Sequence, residues 1–115
     1  MITNHVTSLE LSKQLYEAGI TKNGEYEFWW LTDGSISNLW GKDNRGSCPA
    51  PLSSELGELL PKDASWYTES YAGVWYAREV EIVGNIINTI RKIEADTEAN
   101  ARAKMLLYLK EKEII

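Results

Sequence analysis

Residues 66–83 read Trp66-Tyr-Thr-Glu-Ser-Tyr-Ala-Gly-Val-Trp-Tyr-Ala-Arg-Glu-Val-Glu-Ile-Val83, and the class of fold follows from this stretch. Its aromatic and β-branched residues are typical of β-strands. The Ala72-Gly73 pair interrupts them and indicates a turn. The stretch therefore predicts one or two strands; where there are two, they span residues 67–71 and 74–83.

The predicted strand over residues 74–83 has apolar side chains on both faces, because successive side chains of a strand point to opposite sides. We expect the face with Val80 and Ile82 to meet the core, although Arg78 lies on that face and conflicts with the assignment. The expected core face carries Val74, Tyr76, Val80 and Ile82, and the opposite face carries Trp75, Ala77, Glu79 and Glu81.

Residues 84–93 fit two structures. The Gly84-Asn85 pair between β-branched residues suggests a tight hairpin, whereas the aliphatic residues of the segment also fit a helical stripe. We favour the hairpin, because Ile, Val and Thr dominate the segment. The helical stripe would consist of Val83, Ile86, Ile87, Ile90 and Ile93.

A helix is predicted over residues 98–112, with Asp96 or Thr97 as its N-cap. Glu98 and Arg102 are spaced as a favourable ion pair within this helix. Its buried side would consist of Ala99, Ala103, Leu106 and Leu109, with Met105 beside them.

Two further helices are predicted earlier in the chain. The first begins at Thr7, which forms a capping box with Glu10, and ends at Gly19. The second is short, has Ser53 or Ser54 as its N-cap and ends before Pro61.

An aromatic strand is predicted between the first two helices, over residues 25–31. Tyr26, Phe28 and Trp30 share one of its faces. The Asp33-Gly34 turn leads into a partner strand over residues 36–40. Residues 41–51 are predicted to form a loop.

Together these elements predict a single domain over residues 1–115. The expected class is α+β, with a small antiparallel sheet of three to five strands packed by two longer helices and one short helix. Strands follow one another without regular strand–helix–strand alternation, which does not favour a parallel sheet.

The composition excludes several classes of function. The chain has 12 basic and 17 acidic residues and a net charge of −5. We therefore expect neither a nucleic-acid partner nor binding to an anionic membrane. With one cysteine, no secretory signal and no apolar run of membrane-spanning length, we expect a cytoplasmic protein. The composition does not predict an oligomeric state.

Four segments of the chain resemble a family of small proteins encoded by phages, prophages and other mobile elements of gut and related bacteria. These segments are Thr7–Ile20, Glu27–Trp30, Ser54–Pro61 and Asp96–Lys110. The resemblance spans nearly the whole chain in the same order. It implies an accessory protein of a mobile element, and it implies no activity and no functional residue.

Residues able to carry out chemistry are few. His5 is the only histidine, and Cys48 has no base other than His5 to activate it. Gly41-Lys42 lacks the glycine spacing and the Ser or Thr of a phosphate-binding loop. We therefore expect no catalytic residue, no metal site and no cofactor, and we do not expect an enzyme.

The aromatic residues are the remaining candidates for a functional site, since Trp and Tyr favour interfaces. If the faces are assigned as above, Trp29 and Trp75 share one side of the sheet with carboxylates. The alternative is that a helix covers that side and buries both indoles. The candidate binding residues are Trp29, Trp75, Glu27, Glu79 and Glu81.

The expected function is that of a non-enzymatic binding protein whose partner is a host or element-encoded protein. The alternative is a domain that binds a small molecule, such as a nucleotide or metabolite, in a pocket lined by aromatic residues.

Overall fold

A computed structural model describes residues 5–22, 26–37, 46–62 and 64–115. Within these residues the chain forms three helices and six strands. Their order is α1 (Leu9–Glu17), β1 (Trp29–Leu31), β2 (Ile36–Ser37), β3 (Gly46–Pro49), α2 (Ser53–Leu59), β4 (Ser65–Tyr71), β5 (Val74–Val83), β6 (Ile86–Ala95) and α3 (Glu98–Glu111).

The α+β class is confirmed, and the six described strands divide into two antiparallel sheets. The first sheet has the order β2-β1-β3, and the second has the order β4-β5-β6. Helices α1 and α3 are the longer ones and α2 is the short one. No helix in the described part of the chain is long and apolar enough to cross a membrane.

The first sheet contains a strand where a loop was predicted. Residues 46–49 pair with β1 as β3, through Trp29 opposite Pro49 and Trp30 opposite Cys48. Glycine and proline in this segment concealed the strand, which is an edge strand and so tolerates proline. The predicted β1–β2 hairpin is confirmed for Ile36 and Ser37, and its residues 38–40 lie outside the described residues.

The second sheet consists of two consecutive hairpins. At the first turn, Ala72 and Gly73 have φ values of 53° and 82°, as a type I′ hairpin turn requires. At the second turn, Gly84 has a φ of 62°. The predicted hairpin at residues 84–93 is therefore confirmed, and the helical alternative is wrong.

Helix caps agree with the sequence at α3 and differ at α1 and α2, and the N-cap of α2 is Leu52 and not Ser53 or Ser54. Thr97 caps α3, and its side chain accepts a hydrogen bond from the Asn100 N–H. At α1 the N-cap is Ser8 and not Thr7. Thr7 is buried instead, and its hydroxyl donates to the Pro51 carbonyl at 3.0 Å.

The buried apolar residues form two clusters, one beside each sheet. The cluster beside the first sheet consists of Val6, Trp30, Cys48 and Ala50. The larger cluster surrounds α3, which supplies more than half of its members. These members are Leu15, Leu56, Leu60, Ala77, Ala95, Ala99, Ala101, Ala103, Met105, Leu106 and Leu109.

Candidate functional site

The two candidate tryptophans lie in different sheets, so the expectation that they share one side of a sheet is wrong. Trp29 belongs to β1 and Trp75 belongs to β5. The expectation assumed that the two aromatic strands were neighbours. In the structure β1 pairs with β2 and β3, and β5 pairs with β4 and β6.

The face of β5 that carries Trp75 is the one that packs against α3. Trp75 is half-buried and contacts the large core cluster, to which Ala77 on the same face belongs. The sheet has two buried alanines on this face, Ala77 and Ala95. Small side chains allow the helix to approach closely, so α3 packs on this face. On the opposite face Val80 is 8 % exposed and Ile82 is 63 % exposed.

The three candidate glutamates have separate surroundings. Glu79 forms an ion pair with Arg91 on the neighbouring strand. Glu81 is exposed further along β5, and Glu27 is exposed next to the first sheet, where its backbone N–H donates to Glu55 at 3.2 Å. Nothing in the structure brings these residues together, and their role in binding stays a prediction.

The opposite side of the second sheet is open, because α3 is the one described element that packs extensively on this sheet. We call this side the tyrosine face. Tyr71 is 78 % exposed and Tyr67 is 38 % exposed. The tyrosine face comprises Ser65, Tyr67, Glu69, Tyr71, Val74, Tyr76, Arg78, Val80, Lys92 and Glu94, assigned to one side by strand alternation and register.

Arg78 organises the tyrosine face. Its guanidinium carbon lies 6.0 Å from the ring centre of Tyr67 and 5.9 Å from that of Tyr76, within the range of cation–π attraction. It also forms an ion pair with Glu69 and donates to the Thr89 hydroxyl at 3.3 Å. The conflict at Arg78 is thereby resolved, because its charge is paired and its face of β5 is not the one that packs against α3; Val80 is the buried residue of this face.

Strands β5 and β6 extend further than β4, the other strand of the second sheet. Ser65, the first residue of β4, lies opposite Val80, so β5 and β6 continue past it as a two-stranded hairpin. We call residues 81–90 the arm. Its aliphatic side chains are between 51 % and 63 % exposed and are Ile82, Val83, Ile86, Ile87 and Ile90.

Sequence reasoning did not identify the tyrosine face or the arm as exposed surfaces. One signal was present: apolar residues occupy both alternating positions between Ile82 and Ile90, and no charged residue interrupts them. Such a strand needs cover on both faces. The sequence did not show that α3, the helix that packs on this sheet, covers only the base of the sheet.

Groups suited to metal binding do not assemble in the described residues. No three His, Cys, Asp or Glu side chains there are arranged to hold a metal ion. His5 is exposed, and Cys48 is buried beside the first sheet.

A groove of about 520 Å³ lies between α1 and the start of α3. It has no aromatic lining, so it gives no support to a small molecule held by stacking, and that alternative stays a prediction. The lining residues are Ser8, Glu10, Leu11, Gln14, Asp96, Asn100 and Lys104.

A polar network holds the base of the second sheet against both neighbouring helices. The Glu98 carboxylate accepts hydrogen bonds from Ser53 at 2.7 Å and from Thr68 at 2.6 Å. Arg102 donates to the Ser53 carbonyl at 2.7 Å. Ser53 begins α2, Thr68 lies in β4, and Glu98 and Arg102 lie in the first turns of α3. The network therefore fixes the sheet that carries the tyrosine face.

We expect acid to weaken this network. Burial alone would raise the pKa of Glu98, but the hydrogen bonds from Thr68 and Ser53 and the charge of Arg102 lower it below the ordinary 4.5. A lowered folded-state pKa contributes stability above the unfolded value, and this contribution is lost as the pH falls through the folded value.

The free energy of unfolding should therefore fall as the pH drops below the ordinary glutamate value of 4.5, and less steeply in Glu98→Gln than in the wild type. Urea titrations at a series of pH values measure this difference. Thr68→Val, which removes one donor, should shift the acid transition to higher pH. Equal slopes in wild type and Glu98→Gln would contradict the role given to Glu98.

Comparison of the chain with protein-family models, with curated proteins and with solved structures finds no match in any of the three. The fold and the two exposed surfaces are therefore the basis for assigning a function.

Proposed function

We propose that this chain is a non-enzymatic protein-binding protein that holds its partner on the tyrosine face. The observation that supports the proposal is an uncovered sheet face with exposed tyrosines around an ordered arginine. Tyrosine and arginine are enriched in protein interfaces and among the residues that dominate binding energy.

The charges of the tyrosine face favour a protein partner over a polyanion. Arg78 and Lys92 are balanced by Glu69 and Glu94, so the face is neutral within a chain of net charge −5. Nucleic acids and anionic membranes require a surplus of basic side chains. A neutral face with aromatic and charged groups together suits a protein surface that is also mixed.

The tyrosine face is partly organised before binding. Arg78 is held by Glu69 and by two aromatic rings, and the Lys92 ammonium lies 4.8 Å from the ring centre of Tyr76. Side chains that are already ordered lose less conformational entropy when a partner binds. Tyr71, at the end of the face, is free to reach the partner.

The resemblance to phage and mobile-element proteins supports the biological setting. On that basis we propose that the partner is a host or element-encoded protein met in the bacterial cytoplasm. The chain would then act as an accessory protein of the element.

Tyr71→Ala is expected to reduce partner binding at least about tenfold, because it removes the most exposed ring of the tyrosine face. The unfolding free energy should change by no more than about 0.5 kcal/mol, since the side chain lies on the surface. Tyr108→Ala is the matched control, because Tyr108 is also an exposed tyrosine (37 %). It belongs to α3, which packs on the opposite side of the sheet from the tyrosine face.

The measurement is photo-crosslinking in bacteria that express the protein. A photoreactive amino acid placed at position 71 should give one discrete crosslinked product, and the same group at position 108 should not. Crosslinking that is equal at the two positions, or that occurs at position 108 alone, would exclude the tyrosine face as the binding surface.

A further inference from the structure

We propose that the arm is a dimerisation element, which pairs with the arm of a second copy of this chain. The arm and the tyrosine face use different residues, so this proposal stands independently of the proposed function. It starts from the exposed aliphatic side chains at positions 82, 83, 86, 87 and 90.

The arm is not part of the core of a single chain. None of its aliphatic residues belongs to either buried cluster, and side chains on both faces of the hairpin are exposed. Ile82 lies opposite Ile87, and Val83 lies opposite Ile86. Ile82 and Ile87 therefore form an apolar pair on one face, and Val83 and Ile86 form one on the other.

Strand β6 is protected against pairing at its base and unprotected in the arm. It is an edge strand, so half of its backbone N–H and C=O groups point away from β5. Near the base, Lys104 donates to the Glu94 carbonyl, Arg91 and Lys92 carry charge, and a bulge interrupts the ladder opposite Glu79 and Val80. Charges and bulges are known protections of edge strands.

Apart from the bulge at Ile90, residues 86–90 have none of these protections. Their sequence, Ile-Ile-Asn-Thr-Ile, contains no charge and no proline and consists mainly of β-branched residues. A bare edge of this kind pairs readily with another strand. The contrast with the protected base indicates that the arm is kept available for one specific partner.

The surface area of the arm fits a second copy. An aliphatic side chain of this size corresponds to on the order of 100 Å² of apolar surface. Five side chains, each more than half exposed, therefore present on the order of 300 Å² per arm. Two arms present roughly 600 Å² on their two faces together, and an interface that covered both faces would reach roughly 1,000 Å² in total, because interfaces are about 60 % apolar. That upper bound is at the lower end of the size of a specific dimer interface.

The charge distribution also permits two copies to meet at the arm. The chain carries a net charge of −5, yet residues 82–90 contain no charged side chain. Two arms therefore approach each other away from the acidic surface. Higher ionic strength should tighten the dimer, because salt screens the remaining repulsion between the two chains.

An interface this small predicts a weak dimer that dissociates reversibly. Analytical ultracentrifugation of the full chain over a range of concentrations measures its dissociation constant. The wild type should approach twice its mass of 13.1 kDa at high concentration and return to 13.1 kDa on dilution.

The test variant is Ile82→Thr/Ile87→Thr, which keeps β-branched residues in the strands and removes apolar surface. Its dissociation constant should rise at least about 100-fold, since two residues in each copy lose apolar surface and gain a hydroxyl group. Ile114→Thr/Ile115→Thr is the matched control, because these exposed isoleucines lie outside the arm, and it should dimerise like the wild type. Far-UV circular dichroism checks that each variant is folded.

Three outcomes would overturn the proposal. The first is a wild type that remains at 13.1 kDa at the highest concentration. The second is an arm variant that dimerises as well as the wild type. The third is a Tyr71→Ala variant that dimerises as poorly as the arm variant, which would show that the arm of one copy docks on the tyrosine face of the other.

Discussion

Trp30→Ala is expected to lower the free energy of unfolding by about 3–5 kcal/mol, the range for deletion of a buried aromatic side chain. Trp30 is 9 % exposed and is the largest side chain of the small cluster beside the first sheet. Since domains of this size are stable by only about 5–15 kcal/mol, the variant should be near the limit of folding.

The hydrogen bonds of Trp30 add to this cost. Its indole N–H donates to the Thr7 carbonyl at 3.0 Å and to the Ser12 hydroxyl at 3.1 Å. It thereby joins β1 to the beginning of α1. Trp30→Phe, which keeps an aromatic ring and loses the donor, should cost about 1–3 kcal/mol, the penalty for a buried polar group that loses its partner.

Urea unfolding followed by circular dichroism measures both changes without relying on tryptophan fluorescence. Trp29→Ala is the matched control, because the adjacent indole is half-buried on the other face of the strand. A loss of stability in Trp29→Ala as large as that in Trp30→Ala would show that the faces of β1 are wrongly assigned.

Leu106→Ala is expected to cost about 2–5 kcal/mol. Leu106 is fully buried in the large cluster, where α3 meets both other helices and the second sheet. The cost of such a cavity depends on how far the surroundings can relax into it. Alanines make up nearly half of this cluster and have no side-chain torsion with which to fill a void, so we expect the upper half of the range.

The control for Leu106→Ala is Lys110→Ala, an exposed change one turn further along α3, which should alter stability by no more than about 0.5 kcal/mol. Thermal or urea unfolding of the two variants measures the difference. A cost below about 1 kcal/mol for Leu106→Ala would contradict the position of α3 as the centre of the core.

The placement of the candidate residues could not be predicted, although the strands that carry them could. The bounds of β5 agree with the sequence, because its turns at Ala72-Gly73 and Gly84-Asn85 are set by local backbone conformation. The face of β5 that meets the core is set by α3, and the whole of β6 separates these two elements in the sequence. Apolar residues on both faces made the wrong assignment as reasonable as the right one.

Two further differences have the same origin. Residues 46–49 form a strand because β1 offers them a partner, and their own composition of Gly, Ser, Cys and Pro gives no strand signal. The division of the strands into two sheets likewise depends on pairing between distant segments. Pattern and propensity act within about ten residues, whereas these choices are made by contacts over longer separations.

The sequence by itself determined the class of fold, the three helices, the two hairpins of the second sheet and the absence of a charge pattern for nucleic acid or membrane binding. These properties follow from local turn chemistry, capping and composition. The tertiary structure alone decided that α3 covers the alanine face of the sheet, and that the tyrosine face and the arm remain open. The reason is that one helix can cover only one face of a sheet, and the small side chains at Ala77 and Ala95 allow it to pack closely there.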